Sequence, residues 1–210
     1  MRFLCVSDIH GHARAFDAVI EEARAYGFDQ IIACGDLVFP GPEPLEVWKT
    51  LVKHRALCVQ GTSDRALAQI DPSRLSATTE YERERIERFR SVQNELGELI
   101  VARLGKLPTL ARLPLESGDT LLAVHGSPAD VSEPFTIDMT DDELIALLGD
   151  EPGDLIVCGG SHVPFDRQVA DVRIVNVGSV GEAPGGGHAH ATIVTSTASG
   201  VLVQQLVVTL

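Results

Sequence analysis

The sequence predicts an α/β fold, and three observations predict it. Short unbroken apolar runs alternate with helical patterns over the first 70 residues. Runs of that kind suit strands covered on both faces, as in a parallel sheet. The second half is richer in strand patterns. Finally, chemistry-bearing residues stand where apolar runs stop and glycine begins, in Ser7-Asp8-Ile9-His10-Gly11, Gly35-Asp36 and Gly159-Gly160-Ser161-His162. An α/β sheet presents its reactive groups at such strand ends.

The elements follow in order. Arg2–Val6 reads as a strand, and Phe16, Val19, Ile20 and Ala23 then form a helical face at spacings of three and four. Gln30–Cys34 is a second strand. Pro44 opens a helix carrying Leu45, Trp48 and Leu51 or Val52, because proline is accommodated in a first turn. Ala56–Gln60 is a third strand. Residues 71–106 read as helical, with Thr79 and Glu82 at capping-box spacing and a stripe of Ile86, Phe89, Val92, Leu96, Ile100 and Leu104 before Gly105. The charged residues from Glu80 to Arg88 on its other face read as a solvated surface with i,i+4 pairs. Thr120–Val124, Asp154–Cys158, Arg173–Val177, Ala189–Thr195 and Val201–Val208 are further strands. Thr140 caps a short helix that Gly149 ends, and Thr197–Gly200 joins the last two strands as a hairpin. Two sheets flanked by helices are expected, with no linker or repeat dividing residues 1–210.

Bulk properties narrow the function. A chain of 210 residues has room for a substantial core, and 44% hydrophobic with 22% charged residues fits a globular protein. The apolar stretches are too short to span a bilayer. A net charge of −13 repels a phosphate backbone and disfavours generic nucleic-acid binding. Cys5, Cys34, Cys58 and Cys158 lie in apolar runs without CxxC spacing, so they read as buried reduced thiols rather than a zinc cluster. With no signal-peptide pattern at the N-terminus, these thiols point to a cytoplasmic protein.

Five metal-type residues follow separate strands: Asp8 and His10, Asp36, His125 and His162. A carboxylate can bridge two cations, and mixed carboxylate and imidazole donors suit Mn, Fe or Zn better than Ca. Asp8 and His10, one residue apart just past a strand end, can turn toward one point. The Gly185–Gly187 run lacks the lysine and helix start of a phosphate loop.

The order of these motifs resembles the calcineurin-like metallophosphoesterase superfamily, specifically its small bacterial and archaeal phosphodiesterase branch. The resemblance rests on Ser7–Gly11, Gly35-Asp36, Gly61-Thr62-Ser63-Asp64, His125-Gly126, Gly159–Phe165 and Asn176–Gly181, nearly the whole chain. It implies a four-layer α/β/β/α sandwich of two mixed sheets flanked by helices. It also implies hydrolysis of a small soluble phosphate ester or diester by attack of metal-bound hydroxide. By matching positions, Asp8, His10, Asp36 and His162 would hold the first divalent transition metal (Mn, Fe, Zn or Ni). Asp36 would bridge to a second, with His125 as a ligand that also orients the phosphate.

The chain departs from the family pattern in its second half-site. The family's asparagine is Thr62, its leaving-group histidine is Ser63, and the first histidine of its GHxH motif is Gly160. Thr62 offers only a hydroxyl, and Ser63 is too weak an acid to assist a leaving group but can hydrogen-bond a phosphate oxygen. His12, His188 and His190 are candidate compensating ligands. These losses leave an alternative expectation, an impaired or inactive scaffold with the same fold and a binding or regulatory role. The intact first quartet opposes it, since carboxylates packed together without a cation repel each other.

Overall fold

The computed structural model describes residues 1–150 and 153–210. Its strands are β1 (Arg2–Val6), β2 (Gln30–Ala33), β3 (Leu57–Cys58), β4 (Leu110–Pro114), β5 (Thr120–Val124), β6 (Leu155–Cys158), β7 (Phe165–Val169), β8 (Val172–Asn176), β9 (His188–Thr197) and β10 (Gly200–Thr209). Helices are α1 (Ala13–Ala23), α2 (Pro44–Lys53), α3 (Thr62–Gln69), α4 (Glu80–Leu104) and α5 (Asp141–Ala146). Two five-stranded sheets form, in the orders β10-β9-β1-β2-β3 and β4-β5-β6-β8-β7. β1, β2 and β3 run parallel, as do β5, β6 and β8, while β9, β10, β4 and β7 add antiparallel edges. Both sheets are therefore mixed.

Strand alternation stacks the layers. On β1, Leu4 and Val6 join the cluster that packs with Phe16, Val19 and Ile20 of α1 and Val47 of α2. Phe3 and Cys5 point the other way, into a second cluster with Leu121, Val157 and Val175 of the opposite sheet. The outer face of that sheet packs Leu122, Ile156 and Ile174 against Phe135 and Leu144. Successive side chains of a strand face opposite sides, so an unbroken apolar run covers both of its faces. The result is the expected sandwich of helices, two sheets and helix. Cys5, Cys34 and Cys158 are buried, Cys58 is half-buried, and all four are free thiols.

Four details differ from the sequence reading. The helix expected over residues 71–106 is shorter: Pro72–Arg74 forms one 3₁₀ turn, and α4 starts only after Thr79, whose side chain accepts from the Glu82 N–H. Gly97, at φ 72, also breaks α4 four residues after a helical Gln93; glycine takes this conformation without a Cβ penalty. Helix α3 and the strands β4 and β7 have no counterpart in that reading. β4 and β7 are sheet edges with alternating half-exposed residues, which dilute a strand signal. No helix among the described residues is long and apolar enough to cross a membrane.

Candidate metal centre

The β1–α1, β2–α2, β5–α5 and β6–β7 connections all leave the C-terminal ends of parallel strands, and they carry Asp8 and His10, Asp36, His125 and His162 respectively. Their ligand atoms form two groups, Asp8–His10–His162 and Asp8–Asp36–His125, each with all atoms within 4.8 Å of one another. Asp8 belongs to both. His162 Nε2 lies 3.2 Å and His10 Nε2 3.7 Å from Asp8 Oδ1. The two imidazole Nε2 atoms are 3.2 Å apart. His125 Nε2 is 3.6 Å from Asp36 Oδ1.

The local backbone is bent to produce this convergence. Six non-glycine residues among those described have positive φ, and four of them are Asp8 (52°), His10 (50°), Asp36 (52°) and His162 (62°). Each such residue costs on the order of 1–3 kcal/mol and persists only where its surroundings hold it. Here the holding contacts are visible. The His10 N–H donates to the Asp36 carbonyl, the Asp8 N–H to the Gly35 carbonyl, and the Gly181 N–H to the Asp8 carbonyl. Glycines supply close approach: a Cβ on Gly61 would lie 2.2 Å from the Asp36 nitrogen and Oδ1, and one on Gly159 would lie 1.9 Å from Ser7 Oγ.

Two histidines are oriented by the backbone. His10 Nδ1 contacts the Phe39 carbonyl, and His125 Nδ1 is 2.8 Å from the Cys34 carbonyl. A carbonyl only accepts, so each Nδ1 donates and each Nε2 turns a lone pair toward the site; metal-binding histidines are braced this way. Asp8 is fully buried, and its Oδ2 accepts from the Gly160 N–H at 2.9 Å. Its Oδ1 has no well-directed hydrogen bond despite the nearby imidazoles. A buried carboxylate oxygen ringed by imidazole nitrogens fits a divalent cation.

The electrostatics agree with this clustering. Burial pushes the Asp8 carboxyl up, but the His162 contact and the fields of His125, His162 and His10 outweigh it and hold the carboxyl below its ordinary value. Burial works to lower His125, yet Asp36 and Asp8 raise it. The Asp8 contact raises His162 against its own desolvation. Behind the site, Asp64 is pushed up to about 6 by burial and by the neighbouring Asp36 carboxylate. Its two oxygens accept from the Leu37 and Gly61 N–H groups, each at 3.0 Å, so it ties together the two loops that flank Asp36.

The remaining sequence candidates divide. Thr62 and Ser63 sit beside Asp36: Thr62 Oγ1 donates to Asp36 Oδ2 at 3.3 Å, and the Ser63 N–H donates to Oδ1 at 2.8 Å. Ser63 Oγ is without a hydrogen-bond partner. His12, His188 and His190 belong to neither donor group. His12 is packed close to Gly41 and Gly181, and His190 against Gly178. His188 and His190 form an edge-to-face pair 4.9 Å apart, and His188 Nδ1 bonds the Gly186 carbonyl.

Two contributors escape the sequence reading. Glu182 Oε2 stands 3.7 Å from His10 Nε2, one residue beyond the last motif. Asn176 has its motif quoted above but no assigned task. Its Nδ2 donates to the Gly159 carbonyl at 2.8 Å and to Ser161 Oγ at 2.9 Å, and its Oδ1 accepts from the Gly178 N–H, fixing the loop that bears His162.

Fold and donor set together define a metallophosphoesterase domain. The chain belongs to the calcineurin-like phosphoesterase superfamily, whose domain matches residues 1–199. Among solved structures, the protein PH1004 from Pyrococcus horikoshii OT3 is 21% identical, with a TM-score of 0.82 over 99% of this chain and 88% of its own. A metallophosphoesterase from Sphaerobacter thermophilus is 21% identical, with a TM-score of 0.77 over 98% of this chain and 88% of its own. An archaeal phosphodiesterase is 16% identical, with a TM-score of 0.56 over 99% of this chain and all of its own. No curated protein matches by sequence.

Proposed function

We propose that residues 1–210 form one cytoplasmic metallophosphoesterase domain that hydrolyses a small phosphate ester or diester. One observation carries this reading: two donor groups share Asp8 and are assembled from four strand-end loops, in which Asp8, His10, Asp36 and His162 are held at positive φ. Asp8, His10, Asp36 and His162 would hold the firm cation, and Asp36 with His125 would hold a weaker second one. Carboxylate and imidazole donors suit Mn, Fe, Zn or Ni. A divalent cation supplies Lewis-acid polarisation of the phosphoryl oxygen and an activated water nucleophile.

The chain's own residues do the positioning. The Phe39 and Cys34 carbonyls fix the tautomers of His10 and His125, so each ring presents its Nε2 to the site in a set orientation. Ser63 lines the cavity beside Asp36, and its Oγ, buried and without a partner among the described residues, would donate to a phosphoryl oxygen seated against it. Thr62 holds the Asp36 carboxylate in place. Nothing in this arrangement gives Ser63 the acidity to protonate a poor leaving group, so esters of acidic alcohols are the favoured substrates.

The test is metal analysis of the purified protein followed by a Mn²⁺-supplemented assay on bis(p-nitrophenyl) phosphate. About one metal per chain and turnover abolished by EDTA are expected. Metal binding without turnover would favour a second reading, a non-catalytic scaffold, for which Thr62 and Gly160 at two ligand positions speak. No metal binding at saturating Mn²⁺ would overturn both.

A further inference from the structure

One residue of each donor group, His10 and Asp36, lines a cavity of about 810 Å³. Pockets of ~300–1,000 Å³ enclose whole organic ligands, so this one is far larger than a phosphoryl group requires. His10, Asp36, Thr62, Ser63 and Glu182 line its polar end. Away from them Phe39, Ile70, Leu75, Ile86 and Phe89, drawn from the β2–α2 loop, the end of α3, the segment before α4 and α4 itself, form an apolar stretch, with Glu84, Arg85 and Arg88 also on the lining. Ile70 and Leu75 are 39% and 42% exposed, which is high for large apolar side chains lining one groove. Tyr81 and Arg85 edge the same groove, the guanidinium 5.8 Å over the ring.

The wall is fixed to the metal-bearing loop. Arg88 Nε donates to the Pro40 carbonyl at 2.8 Å and its Nη2 donates to the Gly41 carbonyl. The Phe39 and Phe89 rings meet edge to face, 5.5 Å apart. Phe39 is three residues from Asp36, and its carbonyl also braces His10. The apolar groove and the donor set are thereby held in one register.

We infer that the substrate is a phosphate ester bearing a flat apolar or aromatic group of about two rings, seated in the groove between Leu75, Ile86 and Phe89 while its phosphoryl group meets the metal donors. This rests on the phosphoesterase reading but adds a specificity surface to it. The occupant is set by continuity with the donor end: His10, Asp36, Thr62 and Ser63 line the same cavity, and its two cationic groups, Arg85 and Arg88, are engaged with Tyr81 and with the Pro40 and Gly41 carbonyls. Three aromatic residues in the lining, Tyr81, Phe39 and Phe89, suit a planar ring system.

The test separates binding from turnover. Methylphosphonate and 1-naphthylmethylphosphonate, neither of them hydrolysable, are titrated calorimetrically into Mn²⁺-loaded protein. Burial of the naphthyl group predicts at least ~10-fold tighter binding of the larger ligand. Leu75→Asp, at an exposed position outside any helix or strand, and separately Ile86→Asp, are expected to bring that ratio below about threefold. Equal affinity for the two phosphonates, or a ratio unchanged in both variants, overturns the groove and leaves the phosphoesterase reading standing. Binding of neither overturns both. A retained naphthyl preference in protein that hydrolyses no ester supports the groove while the catalytic reading fails.

Discussion

The two halves of the candidate centre share a backbone frame and differ in side chains. In the first half, Asp8, His10 and His162 are all present, and His10 is braced by a backbone carbonyl. In the second, Asp36 and His125 are set with equal care, and Asp64 locks the Leu37 and Gly61 amides beside them. Yet Thr62 spends its hydroxyl on Asp36, and Gly160 contributes only an N–H, to Asp8. The frame of the second half is intact while its ligand complement is thin. Ligand strength and loop geometry are therefore separable here, and variants can act on one without the other.

The largest effect is expected where the halves meet. Asp8 contributes to both donor groups and its Oδ1 lacks a directed hydrogen bond. Asp8→Asn keeps the size and removes the charge. Bound metal should fall from about one per chain to below about a tenth, and esterase activity should drop by roughly 100-fold or more. Metal-free protein should also lose some thermal stability near neutral pH, because a carboxyl that the neighbouring imidazoles hold below its ordinary value stabilises the fold in its ionised form. Full metal content in this variant, by elemental analysis, would show that the halves do not depend on a shared ligand.

A gain of function probes the thin half. A Cβ on Gly160 would stand 3.6 Å from His125 Nε2 and 3.0 Å from Pro134 Cβ, so a side chain there points toward the second donor group after a small shift. Gly160 has φ +75, and His162 two residues later already holds a histidine at φ 62. The combined change Thr62→Asn, Ser63→His and Gly160→His is expected to raise metal content toward two per chain and activity by ~10-fold or more. Two metals with no gain in rate would place the limit elsewhere than in the lost ligands.

The same division explains what the sequence discloses. Asp8, His10, Asp36, His125 and His162 each end an apolar run next to glycine or another motif residue, so their convergence follows from strands ending at one sheet edge. The layers follow too, because Leu4 and Val6 must face away from Phe3 and Cys5. Helix α3 is concealed by its length and by the Gly61–Asp64 bond that starts it, which is visible only once Gly61 is folded against Asp36. Asn176 and Glu182 do their work across the fold, on loops more than a dozen residues away, and local pattern carries no trace of that. Positive φ at four non-glycine donors is likewise a tertiary property. The apolar groove joins residues from four separate segments that are individually ordinary.

The smallest predicted effect tests the frame of the second half through pH. Asp64 is fully buried beside Asp36, and its carboxyl is raised from an ordinary 3.8 to about 6. Between those values the folded protein keeps a proton that the unfolded chain has released, so stability is lost as pH rises through that window. Asp64→Asn removes this slope while its amide oxygen still accepts one of the two backbone N–H groups, at a pH-independent cost. In EDTA, the stability of the wild type relative to this variant should therefore decline by about 2 kcal/mol from pH 4 to pH 6.5, measured by denaturant melts. Mn²⁺ should flatten the decline in the wild type if a cation sits at Asp36 and His125, because positive charge there offsets the carboxylate repulsion. A decline insensitive to Mn²⁺, in protein that carries one metal per chain, assigns that metal to the Asp8–His10–His162 side alone and leaves the second half as a braced frame without a cation.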